Sequence, residues 1–157
     1  MTAKLSAPPS KADSTVDYSQ KWWVLLSVAM GIFLSTIDGS IVNVSLPTLE
    51  AVFDTSFATV QWVVVSYLLV ITSLMLGVAR LADMIGKRRI YLSGMVVFTI
   101  GSLLCGIAPT VGFLIGFRAF QGLGAVMMQA LGMAIVTEAF PPTERGRALG
   151  ISGTIVS

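Results

Sequence analysis

Residues 83–89 read Asp-Met-Ile-Gly-Lys-Arg-Arg and fall between two strongly apolar stretches, 60–81 and 90–108. Each stretch can cross a bilayer as a helix, which takes about 20 residues. The polar segment is then a tight turn at one membrane face. Its three consecutive basic residues mark that face as cytoplasmic, because Lys and Arg in short loops are retained there. This one feature points to an all-α, multi-pass membrane chain and sets its orientation.

Composition agrees. Hydrophobic residues make up 55% of the chain and charged residues 11%, against about 25% charged in soluble domains. The net charge is only +2, and the basic residues sit in separate loops. No basic stripe for nucleic acid exists. The chain has no histidine, so a proton relay must use carboxylates. Cys105, the sole cysteine, lies mid-span and reads as a small packing residue. No His or Cys pair can hold a metal, no Gly-rich loop with Lys-Ser/Thr can hold ATP, and no Ser-His pair can act as a hydrolase. The reading is of a protein that is not an enzyme and needs no cofactor.

Residues 1–20 are polar and read as a disordered cytoplasmic tail, too long and too weakly basic for a signal peptide. Residues 21–157 read as a partial transmembrane domain. The spans are expected at about 22–46, 59–81, 90–108 and 111–139, with the stub of a fifth at 148–157. Pro47 is expected to end the first span and Pro141-Pro142 the fourth. Trp22 and Trp23 beside Lys21 suit the membrane interface. Of the ten Lys and Arg, nine flank the inner ends of these spans, and both outer loops have none. The amino terminus is therefore expected in the cytoplasm, with the chain in the cell (inner) membrane.

Two charges lie well inside the spans. Asp38 sits in Ile-Asp-Gly-Ser-Ile-Val-Asn. A charged residue at mid-membrane costs about 2.5–3.5 kcal/mol on insertion scales, so it needs a polar neighbour or a water-filled cavity. It is either a proton carrier or a structural acid paired with another helix. Gly39, Ser40, Asn43 and Ser45 extend its small, polar face towards a cavity. Arg118 opens Arg-Ala-Phe-Gln-Gly-Leu-Gly and shares a helical face with Gln121, Ala125 and Met128. It is either functional or a helix-helix anchor. Counting back from residue 46 puts Asp38 about 12 Å from the outer face, and Arg118 lies about 10–11 Å from it. Opposite charges at one depth are expected to pair. Asn43, Tyr67 and Gln121 are candidates to face substrate, with Gln61 and Gln129 behind them. Gly112-x-x-x-Gly116, Gly122 and Gly124 are expected to pack closely against another helix.

These motifs resemble the amino-terminal part of a major facilitator superfamily transporter, most closely the fourteen-span drug:proton antiporters, over residues 20–157. Residues 79–88, with Asp83, Gly86, Lys87 and Arg88, resemble motif A of the turn after span two. Ala79 stands where the family has Gly, and Met84 at a usually basic position. Residues 118–124 resemble motif B. Residues 38–47 resemble the first-span signature of the fourteen-span exporters, with Ser where Thr and Ala are usual. The resemblance implies proton coupling through Asp38 and Arg118 and a conformational switch in the motif A loop. It also implies efflux of drugs or amphipathic metabolites, with the lipid bilayer, protons and a small-molecule substrate as partners. Four complete spans suggest a fragment whose remaining helices complete the transporter.

Two other readings stay open. The chain could come from an uptake permease of the same superfamily, which motif C of span five would discriminate. It could also be a non-transporting or dimeric four-helix membrane protein.

Overall fold

Apolar runs of this length have one way to satisfy their backbone polar groups in lipid without closing a barrel, and that is the α-helix. The computed structural model describes residues 21–140 together with Glu144, Gly146, Gly150 and Gly153. The tail expected at 1–20 and the stop at Pro141-Pro142 lie outside the described residues. Of the stub at 148–157, Gly150 and Gly153 alone are described, both helical. Four helices form the body: α1 (Lys21–Val52), α2 (Phe57–Ile85), α3 (Lys87–Gly106) and α4 (Val111–Ala139). All four are long and apolar enough to cross a membrane, and no strand occurs among the described residues.

The first span does not stop at Pro47. Pro47 lies inside α1, which runs on to Val52. Proline removes one backbone donor, but apolar packing holds the helix beyond it. Leu46, Leu49 and Phe53 pack against Val60, Val63 and Leu114. The helix ends instead where Asp54 adopts a left-handed backbone (φ 45°) and the Thr55 N–H donates to the Glu50 carbonyl at 3.2 Å. That six-residue closure is a Schellman-type stop.

The turn between the second and third spans is also shorter than expected. Asp83 and Lys87 lie on helices, and Gly86 alone separates α2 from α3. The residues around it favour helix, so only one residue need break the ladder. Gly86 does so at φ 112°, a conformation other residues rarely adopt. Its N–H donates to the Ala82 carbonyl at 2.8 Å. At the other end of the bundle, the Thr110 hydroxyl accepts from the Phe113 N–H and caps α4.

Helix α4 is the hub and packs against all three others. Half of its most apolar window is buried (50%), against 22% for α1 and α2 and 28% for α3. The α3–α4 crossing is made of glycine. A Cβ on Gly94 would fall 2.6 Å from Met127 Cβ, and one on Gly101 would fall 2.7 Å from the Gln121 Cα. One on Gly124 would run into the backbone nitrogen of Phe98. Small residues here let the two backbones approach, as in other membrane helix pairs. Gly112 and Gly116 do no such packing. Both are exposed, and a Cβ on Gly116 would meet nothing within 4 Å. Among the described helices, none comes to that pair for the close packing expected of it. Gly94 and Gly101 take it, and their seven-residue spacing, two helical turns on one face, was the available signal.

The starts of α1 and α3 and the ends of α2 and α4 share one end of the bundle. The Trp22 and Phe140 rings meet edge to face there, with centroids 5.7 Å apart. The outward sides stay apolar. Val44, Leu76 and Met84 are each at least 80% exposed, an arrangement suited to lipid or further helices.

Candidate functional site

The core has two apolar clusters along α4. One gathers Val60, Val63 and Leu114, and the other gathers Tyr67, Phe98, Ala125, Val126, Met128 and Leu131. Between Leu114 and Ala125 lies a polar layer built by Arg118 and Gln121, one helical turn apart. Arg118 is 2% exposed and Gln121 1%.

Asp38 of α1 reaches into this layer. Its Oδ2 accepts from Arg118 Nη1 at 2.6 Å, and its Oδ1 accepts from Gln121 Nε2 at 2.9 Å. Gln121 Oε1 accepts from the same Arg118 Nη1 at 2.7 Å. The three side chains close a ring in which both carboxylate oxygens have donors. Charge-assisted bonds of this kind are roughly twice as strong as neutral ones. A ring also fixes orientation, because turning any member breaks two bonds.

The ring rests on α2 and α3. The Arg118 guanidinium carbon lies 4.3 Å from the centroid of the Tyr67 ring, within cation–π range. The Tyr67 hydroxyl and Ser35 Oγ are 3.3 Å apart, and Gln129 Nε2 donates to Ser35 Oγ at 3.1 Å. Cys105 is half-buried, with its Sγ 3.7 Å from Gln121 Oε1. Close approach of α2 explains the level of Tyr67. A Cβ on Gly122 would lie 3.1 Å from the Tyr67 carbonyl oxygen.

The expected pairing of Asp38 with Arg118 across α1 and α4 is thus present. The depth estimate behind it was partly mistaken, since α1 extends past residue 46. Two residues expected to face substrate belong to the ring and its support. Tyr67 and Gln121 are buried, and their polar atoms are turned to one another's neighbours in the ring and its support. Gln121 is drawn in by two unmet needs, a free lone pair on Asp38 and a spare donor on Arg118. Asn43 is exposed on α1. Ser35 was not singled out from sequence. The signal was its position three residues before Asp38, on the same helical face.

At the other end of the bundle, Asp83, Gly86, Lys87 and Arg88 line one shallow recess with Arg89 and Glu138. Lys87 pairs with Glu138 of α4 and stands 3.9 Å from Asp83. By sequence position Arg80 or Arg88, at the same end of the spans, is as good a partner for Glu138. Lys87 takes it because α3 begins directly after Gly86, which leaves Lys87 at the α4 edge. Arg88, one residue on, also lines a groove with Trp23, Ser27 and Tyr91. These ion pairs are open to solvent and should add little stability. Their interest lies in joining α2, α3 and α4 at one point.

Residues 28–157 match the family model described as Major Facilitator Superfamily. The chain is 45% identical over 137 residues to the riboflavin transporter RibZ of Clostridioides difficile, covering 87% of this chain and 30% of that protein. It is 41% identical over 134 residues to the multidrug resistance protein Stp of Mycobacterium tuberculosis, covering 85% of this chain and 25% of that protein. It is 36% identical over 137 residues to the puromycin resistance protein pur8 of Streptomyces alboniger, covering 87% of this chain and 27% of that protein. The chain therefore spans between a quarter and a third of the length of these relatives. With a bundle of four spanning helices and the family model covering most of its length, the chain belongs to the Major Facilitator Superfamily.

Proposed function

We propose that this chain supplies the first helices of a proton-coupled exporter of drugs or amphipathic metabolites, acting as a carrier and not as an enzyme. The observation that carries the reading is the buried ring of Asp38, Arg118 and Gln121. An ionisable residue inside the membrane marks a functional site by default. Here the acid and the base belong to different helices, so relative movement of α1 and α4 would part them. Protonating Asp38 removes its attraction for Arg118, and parting the two helices leaves a carboxylate that is better neutral than charged. Proton uptake and helix movement are thereby coupled. The recess around Asp83, Gly86, Lys87 and Arg88 would hold one conformation through the bond from Lys87 to Glu138.

Relatives named for multidrug and puromycin resistance support export as the direction. A relative named as a riboflavin transporter gives no direction in its name, which keeps uptake of a small molecule as the second reading.

In the transporter of which this chain forms part, Asp38→Asn is expected to abolish accumulation of substrate against a gradient and to leave downhill exchange running. Uphill transport with an unchanged pH dependence in that variant would reject the proton role. Orientation is tested separately. With Cys105 replaced, an impermeant thiol reagent added outside should label a cysteine placed at residues 50–54 and spare one at Lys87. Labelling at Lys87 would invert the proposed topology, in which the amino terminus and Gly86 face the cytoplasm.

A further inference from the structure

The Arg118 guanidinium has one face on an aromatic ring, and that ring is itself held in place. Tyr67 is 5% exposed, and its hydroxyl lies 3.3 Å from Ser35, which is bonded in turn to Gln129. Arg118 Nε is buried and has no hydrogen-bond partner among the described residues. So Arg118 depends on three supports: the Asp38 carboxylate, the Gln121 carbonyl oxygen and the Tyr67 ring face.

We propose that Tyr67 is a positioning residue for the Asp38–Arg118 pair, its ring holding the Arg118 cation in place while Asp38 carries a proton. The proposal rests on the proton role assigned to Asp38 above. When Asp38 is neutral, the strongest of the three supports is gone, and a cation without a partner inside a membrane is costly. Gln121 and the ring remain. The ring contact gains in weight at that moment, because cation–π attraction is largest where the cation is desolvated and uncompensated. Tyr67 therefore stabilises the protonated-Asp38 state more than the paired state. Without the ring, Arg118 relies on the Asp38 anion, and more acid is needed to protonate it.

The titratable and charged groups facing the pair are few among the described residues. They are Tyr67 from α2 and the Cys105 thiol from α3, beside Asp38 of α1 and Arg118 of α4 themselves. Tyr67 is the one that touches the guanidinium face.

The test uses the transporter of which this chain forms part, reconstituted in lipid vesicles. The readout is the infrared carbonyl band of a protonated carboxyl group, assigned to Asp38 by its loss in Asp38→Asn and followed against pH. Tyr67→Phe keeps the ring and should leave the midpoint within a few tenths of a pH unit. Tyr67→Leu should lower it by about one unit, the scale of a desolvated cation–π contact. Phenylalanines carrying increasing numbers of fluorine atoms at position 67 keep the shape while draining the ring face. They should lower the midpoint step by step, and they cover the case in which the Leu variant does not fold. A flat fluorine series overturns the proposal and leaves the proton role of Asp38 standing. Absence of any band that Asp38→Asn removes overturns both.

Discussion

Arg118→Leu should destabilise the folded chain by about 3–5 kcal/mol, the usual cost of stranding one member of a buried ion pair. Two acceptors lose their donor at once, Asp38 Oδ2 and Gln121 Oε1. Asp38→Leu should cost a similar amount, because the Arg118 cation is then left at 2% exposure with Gln121 and the Tyr67 ring alone. The double substitution should recover part of the loss, since two apolar side chains pack where two charges had to be desolvated, while the buried Gln121 amide is left without either partner. Unfolding by denaturing detergent from mixed micelles measures all three. If the losses simply add, the two residues do not act as a pair. Recovery of stability in the double variant together with lost transport would separate the two roles, with the pair retained for function at the expense of stability.

Gly124→Ala should cost about 3 kcal/mol, at the upper end of the usual range for overpacking. The new methyl group would meet the Phe98 nitrogen and fall 2.7 Å from both the Phe98 Cα and the Gly94 carbonyl oxygen. Every one of those atoms is backbone, so no side chain can swing away and α3 must move off α4. Gly116→Ala is the control, with nothing within 4 Å of its added Cβ. It should change unfolding by no more than a few tenths of a kcal/mol, helped by the better helix propensity of alanine. Equal losses at the two sites would mean that the α3–α4 contact is not the one described.

The glycines show where reading the sequence stops. Gly124 packs closely, as expected of it, but Gly112 and Gly116, with the familiar close-packing spacing, meet no neighbouring helix among the described residues, whereas Gly94 and Gly101, in no short motif, do. Spacing along one helix says that a face is small. It does not say which neighbour comes to that face, and the choice depends on the crossing of α3 over α4. Pro47 makes the same point for a boundary. Its missing donor argues for a stop, but contacts of Leu46, Leu49 and Phe53 with α2 and α4 outweigh one hydrogen bond.

What the sequence determined by itself were the terms set by the bilayer. Runs of apolar residues had to become helices, and Asp38 and Arg118 had to find each other or water. These follow from costs of several kcal/mol paid against lipid by any isolated charge or unmet backbone group. Tertiary structure alone decided the partners. It drew Gln121 into the ring, set Tyr67 beneath the guanidinium, and gave Glu138 to Lys87. The physical reason is geometric. Which side chain reaches a charge is settled by helix crossing and backbone separation, to within an ångström or two, and one-dimensional periodicity carries no record of either.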